Sequence, residues 1–231
     1  MDPAPKRAAV VSIVIPALNE ADMIGATLAD LGELDREQIE IIVVDGGSTD
    51  RTVSIANLAA DQVLASPGGR AIQMNRGAYQ AEGDYLLFLH ADTRIPADLL
   101  DILSRNFASQ CVWGRFDVSL SGSDRLFRVI EFLINLRSRV SGIATGDQGI
   151  FVRRSIFCKL GGYPEIPLME DIALSRKLRA IARPLCLRQR LVTSSRRWEQ
   201  RGVIRTILLM WGLRFLFFVG VNPSILALWY R

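Results

Sequence analysis

Over the first ninety residues, short apolar runs alternate with stretches of helical spacing, and the runs end in polar or acidic groups. Residues 10–15 are mostly β-branched and are closed by Pro16. Residues 40–44 end in Asp45-Gly46-Gly47, residues 62–65 form a shorter run, and residues 85–89 lead into His90-Ala91-Asp92. Such runs, bounded by turn residues, read as strands buried on both faces. Between them, residues 19–31 read as a helix capped by Asn19, with Ile24, Leu28 and Leu31 at helical spacing. Ser48-Thr49-Asp50 caps a second helix to about residue 60, and residues 70–81 form a third. Strands that alternate with helices predict a mostly parallel sheet with right-handed crossovers. Ligands of such sheets bind at the carboxyl ends of the strands, where Asp45 and residues 90–92 fall.

The second half continues the α/β pattern. A helix is expected near residues 97–107, a strand over 112–120, a long amphipathic helix over 124–140 and a strand over 149–153. A helix over 170–182 turns Ile172, Leu174 and Leu178 inward. No internal repeat or linker interrupts the chain, so residues 1–202 are expected to form one domain and 203–231 an apolar, basic, helical extension. Cys111, Cys158 and Cys186 have no paired spacing, which fits neither a disulfide framework nor a zinc site and points to a reducing, cytoplasmic setting. Lys6 and Arg7 precede an apolar run, but Pro16 and Asn19-Glu20 cut it short without a small-residue cleavage site, so a secretory leader is not expected.

Several groups can carry chemistry. Asp45, followed by two glycines, can accept a hydrogen bond from a base or ribose, or can cap its own turn. Gly68-Gly69-Arg70 opens a helix and suits a phosphate, or is an ordinary loop. Asp92 at a strand end can hold Mg²⁺ or Mn²⁺ when substrate phosphates supply the remaining ligands, and His90 is either a second ligand or structural. Asp147-Gln148, bracketed by Gly146 and Gly149, lines an acceptor pocket or makes a tight turn. Glu170-Asp171 opens a helix, either as first-turn acids that favour the dipole or as a general base. Arg196-Arg197-Trp198 can neutralise a diphosphate or form a solvated turn. No G-x-G-x-x-G follows the first strand and no G-x-x-x-x-G-K-[ST] exists, which argues against dinucleotide oxidoreductases and P-loop NTPases.

Charge is uneven along the chain. Residues 1–182 carry 19 basic and 23 acidic side chains, whereas 183–231 carry 9 arginines and one acid, Glu199. A tail both basic and apolar suits an anionic lipid surface, and no nucleic-acid-binding spacing accompanies it. Residues 203–221 hold twelve Val, Ile, Leu or Phe residues, with Arg214 near the middle. Those twelve favour insertion by roughly 4–7 kcal/mol, while Arg214 alone costs about 2.5–3.5 kcal/mol at a helix centre, so spanning is marginal. A helix lying in the membrane interface is the first expectation. A dimer contact or a cap on the acceptor site comes second, and a true span last.

Taken in order, Val11–Glu20 (VSIVIPALNE), Val43–Asp50 (VVDGGSTD), His90-Ala91-Asp92 and Glu170-Asp171 resemble the family 2 glycosyltransferases. The resemblance runs from about Val11 to Trp198 and implies a GT-A fold, α/β, with a Rossmann-like nucleotide-binding half joined to an acceptor half in one mostly parallel sheet. GRAIQMNRGA at 69–78, the His-Ala-Asp and TSSRRW at 193–198 look most like a small bacterial branch named for arsenosugar biosynthesis clusters. The resemblance implies an inverting transfer from a nucleotide-diphosphate sugar, a UDP-sugar being the expected donor, with a divalent cation. Pro16, Asn19 and Glu20 would line the nucleotide pocket, Asp45 would face the base, and Arg70, His90, Ala91, Arg197 and Trp198 would lie near the nucleotide. Asp92 would hold the metal, and Asp171 would be the base with Glu170 beside it. His90 stands where the family has an acid, and Ser194 replaces the glutamine of the Q-x-x-R-W motif of processive members. The acceptor is unnamed and can be lipid-linked, with the protein peripheral on the inner face of the membrane. A sugar-phosphate nucleotidyltransferase would want a glycine-rich, basic loop where this chain has Pro16-Ala17-Leu18-Asn19-Glu20. A nucleotide-binding membrane protein without catalysis is the remaining alternative.

Overall fold

The structure, a computed structural model, describes residues 11–109 and 111–230. Lys6, Arg7 and Val10 lie outside the described residues. Four strands pair in parallel: β1 (Val11–Ala17), β2 (Ile39–Asp45), β3 (Gln62–Ala65) and β4 (Tyr85–Phe88). The helices between them are α1 (Ile24–Gly32), α2 (Thr52–Ala56) and α3 (Arg70–Gln80). There follow β5 (Thr93–Arg94), α4 (Leu99–Ala108), β6 (Trp113–Leu120), α5 (Arg125–Ser141), a 3-10 turn (Gly146–Gln148), β7 (Ile150–Arg153), α6 (Arg154–Lys159) and α7 (Glu170–Arg179). The chain closes with β8 (Leu185–Thr193), α8 (Arg196–Arg201), α9 (Val203–Phe218) and α10 (Pro223–Tyr230).

One eight-stranded sheet runs in the order β3-β2-β1-β4-β7-β6-β8-β5. β7 joins antiparallel to β4 and β6, β8 lies parallel to β6, and β5 is antiparallel to β8. The parallel half is the alternating pattern of the sequence made solid. Successive residues of β1 face opposite sides, so Ile13 and Ile15 pack with Leu28, Leu31 and Leu103, while Val14 packs with Met74 and Ala78. Both faces are covered, which is why the runs read as continuously apolar. From β1 the chain steps to β2 on one side, then crosses from β3 to β4 on the other. That reversal opens a crevice at the carboxyl ends of β1 and β4.

Some boundaries differ from the sequence reading. Asn19 is not a cap: it sits in the left-handed region at φ 54°, and α1 begins only at Ile24. The Asn19 carboxamide instead accepts the Thr49 N–H at 2.9 Å, which ties the loops after β1 and β2 together. α2 ends at Ala56 rather than near residue 60. Four elements were not foreseen, β5, α6, β8 and α8, while the 3-10 turn is the tight turn that Gly146–Gly149 left open. The three cysteines are free. No described helix is long and apolar enough to cross a membrane. α9 and α10 pack back on the body, with Leu213 and Leu226 buried against Met169 and Ile172, while Trp211, Phe215, Phe218 and Trp229 face outward.

Candidate active site

The crevice is built from α3 outward. Gly77 lets that helix lie close on the sheet, since a Cβ there would stand 2.4 Å from Val14 Cγ1. One turn earlier, the Gln73 amide donates to the carbonyls of Ala17 and Val44, each at 2.8 Å, and clasps the carboxyl ends of β1 and β2 together. Another turn back, Arg70 emerges at the lip of the cleft.

The His90-Ala91-Asp92 loop is held at three points. Leu89 donates its N–H to Val14 at 3.1 Å, Thr93 to His90 at 3.2 Å, and the Thr27 hydroxyl donates to the Ala91 carbonyl at 2.8 Å. The loop therefore presents His90 and Asp92 to the cleft rather than to bulk solvent. Burial pushes the Asp92 carboxyl up, and the charges of Arg196 and Arg70 offset this only in part. Its hydrogen-bond partner is the Thr193 hydroxyl, at 3.5 Å, and no described cation forms an ion pair with it. A half-buried carboxylate that makes no ion pair among the described residues is a place for a cation. The described residues include no cluster of three His, Cys, Asp or Glu groups able to hold a metal. A divalent ion in this cleft would find one carboxylate, Asp92, on this loop and would need its other ligands from elsewhere.

Asp171 is held differently. α7 starts from Met169 in the left-handed region, φ 69°, which turns Glu170 into the protein and Asp171 toward the cleft. The Asp171 carboxylate accepts the Gly146 N–H at 2.8 Å and the Ile172 N–H at 2.7 Å, one on each oxygen. Gly146 also packs against His90, where a Cβ would stand 2.6 Å from Nε2. His90, Gly146 and Asp171 thus form a contiguous strip of the wall. Glu170 is buried and lies 3.6 Å from Arg70. Burial, then the Asp171 charge, raises its carboxyl to about 7 against the pull of Arg70.

The cleft encloses about 770 Å³. Of the residues expected from sequence, it brings together Pro16, Glu20, Arg70, His90, Ala91, Asp92, Asp147, Asp171 and Trp198. Asn19, Asp45, Gln148 and Glu170 do not line it. Asp45 is buried at the end of β2 and accepts the N–H groups of Gly47 and Ser48 at 3.0 Å, the capping role that its sequence setting left open. Gln148 is fully buried and closes a capping box with Thr145. Arg197 lies in α8, and its side chain is outside the described atoms. Arg196 reaches Glu20 at 3.1 Å and bridges α8 to the loop after β1. Sequence reading missed Gln73, Thr193, Met210, Arg214 and Tyr230, all of which line the cleft. Gln73 and Thr193 lie within the stretches 69–78 and 193–198 that carried the narrower resemblance, and Arg214 stood out as a charge inside an apolar run.

The family model described as glycosyl transferase family 2 matches residues 12–160. A PGL/p-HBAD biosynthesis glycosyltransferase of Mycobacterium bovis (strain BCG / Pasteur 1173P2) is 32% identical over 187 residues, covering 68% of this chain and 64% of its own length. This chain therefore spans just under two thirds of that curated relative. The structure of Staphylococcus aureus TarS 1–349 in complex with UDP-GlcNAc superposes with a TM-score of 0.67 at 20% identity, covering 80% of this chain and 58% of that one. The mannosyltransferase PcManGT of Pyrobaculum calidifontis, in complex with GDP-Man and Mn²⁺, gives a TM-score of 0.61 at 24% identity, covering 83% and 59%. At these identities the two structures establish a shared fold.

Proposed function

The chain belongs to glycosyl transferase family 2, and from that premise we propose that it moves a sugar from a nucleoside-diphosphate donor, a UDP-sugar, to an acceptor hydroxyl with inversion at the anomeric carbon. The observation that carries this reading is the pair of carboxylates on one cleft: Asp92, half-buried and in no described ion pair, and Asp171, fixed by two backbone N–H groups. The complexes of fold neighbours with UDP-GlcNAc and with GDP-Man and Mn²⁺ support a nucleotide-sugar donor and a divalent cation.

Donor binding falls to the half built on β1–β4. Pro16 and Glu20 line it, Asn19 and Asp45 shape its loops from behind, and Arg70 with Arg196 brings positive charge to the diphosphate. Arg197 and Trp198 belong to the same side, with His90 and Ala91 on the floor. A divalent cation, Mg²⁺ or Mn²⁺, held by Asp92 and the donor's phosphates would neutralise charge on the departing nucleoside diphosphate. Each oxygen of Asp171 spends one lone pair on a backbone N–H and keeps another for the acceptor's proton. As that hydroxyl attacks the anomeric carbon, Asp171 takes its proton in a single displacement. Glu170 sits behind Asp171 and neutralises Arg70 only when ionised. Asp147 and Gln148 belong to the acceptor side.

Residues 1–202 then carry the donor and proton chemistry, and residues 203–231 close the acceptor end. The outward apolar face of α9 and α10 supports a peripheral position on the inner face of the membrane, next to a lipid-linked acceptor, with a dimer contact as the competing use of that face. Nucleic acid has no part in this reading. The wording at residues 69–78, 90–92 and 193–198 supports the narrower likeness to the branch named for arsenosugar clusters, a label that leaves the acceptor open.

Product analysis tests the reaction class. The full chain incubated with UDP-sugars and Mn²⁺ should release UDP and free or transferred sugar. Pyrophosphate-dependent release of sugar 1-phosphate with UTP would mean nucleotidyl transfer, and no turnover of any nucleotide sugar would overturn the reading.

A further inference from the structure

Arg214 interrupts the apolar run of α9 at its middle, and its side chain lines the cleft with Thr145, Asp147, Met210 and Tyr230. Its Nε is buried and makes no hydrogen bond among the described residues. Arg137, on α5 beside it, has its Nε buried in the same state, and its terminal nitrogens reach Ile143 O and Thr145 Oγ1 only at 3.5 Å. No described ion pair involves either arginine. The two cations repel each other: burial first, then the Arg214 charge, brings Arg137 down to about 10, against the pull of Asp147 and Asp171. On the same wall, Oδ1 of Asp147 is buried without a hydrogen bond.

On the wall itself, an orphaned donor at Arg214 and an orphaned acceptor at Asp147 are costly to leave unmade, and Arg137 adds a buried positive charge behind them. Together they are complementary to a molecule that carries both an oxyanion and a hydroxyl. Their place in the site is defined by the chain itself. Gly146, which lies between Thr145 and Asp147, is the residue whose N–H holds Asp171. The arginines therefore stand on the side of Asp171 that faces α9, while Arg70 and Arg196 serve the half built on β1–β4.

We infer that Arg214, with Arg137 behind it as a positioning charge, forms an oxyanion subsite, so that the acceptor carries a phosphate or carboxylate in addition to the hydroxyl that is glycosylated. This rests on the glycosyl-transfer reading above. It gives the C-terminal helices a chemical task, because α9 supplies the guanidinium that selects the acceptor.

The test is calorimetry on the full chain saturated with UDP and Mn²⁺, so that the donor-side arginines are covered. The chain is titrated with inorganic phosphate and, separately, with phosphatidic acid vesicles set against phosphatidylcholine vesicles. The wild type should bind phosphate. Arg214→Gln should bind it roughly 10–100-fold more weakly, the worth of a charge-assisted hydrogen bond. Arg214→Lys, which keeps the charge but loses the fork, should fall between. Binding of free phosphate that Arg214→Gln weakens supports a soluble anionic acceptor. Binding only to phosphatidic acid vesicles, beyond that to phosphatidylcholine and weakened by Arg214→Gln, supports a lipid headgroup. Equal affinity in wild type and Arg214→Gln, or no binding of either form, overturns the subsite. Failure of both UDP and GDP to bind with Mn²⁺ overturns the glycosyl-transfer reading itself, and the two failures are read in separate titrations.

Discussion

Asp92 and Asp171 face the same cleft and are treated in opposite ways. The loop after β4 half-buries Asp92 outside any described ion pair, whereas α7 and the 3-10 turn give Asp171 two N–H donors. Glu170, one residue before Asp171, is buried behind it, and its carboxyl is raised to about 7, first by burial and next by its neighbour's charge. The folded state holds that proton to a higher pH than the unfolded chain does, so stability falls as pH rises from the ordinary carboxylate range through about 7. Glu170→Gln should therefore stabilise the protein relative to wild type by on the order of 2 kcal/mol at about pH 8, and by little near pH 4. Thermal unfolding at the two pH values reads this, and an equal difference at both would contradict it. The lost pairing with Arg70 subtracts little, because the Arg70 side chain is 43% exposed. The acids were legible in the sequence because they stand where apolar strands end or a helix begins. Asn19 and Gln148 were not, because what they do depends on Thr49, thirty residues away, and on a capping box that forms only when the turn closes.

At the scale of elements, α3 is the helix on which the donor side depends. Gly77, Gln73 and Arg70 lie along it, and its closeness to β1 sets where the last two point. Gly77→Val should lift the helix off the sheet, since even a Cβ meets Val14 Cγ1 at 2.4 Å and Val44 Cγ2 at 3.0 Å. We expect a loss of about 1–3 kcal/mol in urea unfolding, with weakened nucleotide binding, and a change within about 0.5 kcal/mol would show that the contact relaxes freely. The first four strands were visible from their apolar runs. β8 was not, because Arg188-Gln189-Arg190 are exposed in its middle and break both alternation and continuity. The register of β6 against β8 shifts between Arg115 and Asp117, a local irregularity that no sequence period announces.

For the whole molecule, the C-terminal helices have two faces with different partners. One buries Leu213 and Leu226 against Met169 and Ile172, directly beneath the start of α7. The other leaves Trp211 59%, Phe215 65% and Phe218 73% exposed, and α5 adds Phe132 and Val140 to the exposed apolar surface. Deleting residues 203–231 would strip the base of its support, so the membrane proposal is better tested by Trp211→Glu with Phe215→Glu in the full chain. Wild type should float with anionic liposomes and the double variant should not, and if neither floats the surface serves another purpose. The parallel half of the sheet followed from strand–helix alternation. The order β7-β6-β8-β5 did not, because it depends on pairings between residues far apart in the chain, which local patterning does not encode.

Asp171 as the base that deprotonates the acceptor is the centre of this account. The most direct test compares wild type with Asp171→Asn in the full chain, measuring donor turnover with Mn²⁺ alongside calorimetric donor affinity. The account predicts turnover lower by roughly 10²–10⁴-fold with donor affinity nearly unchanged. Equal turnover in the two proteins would contradict it.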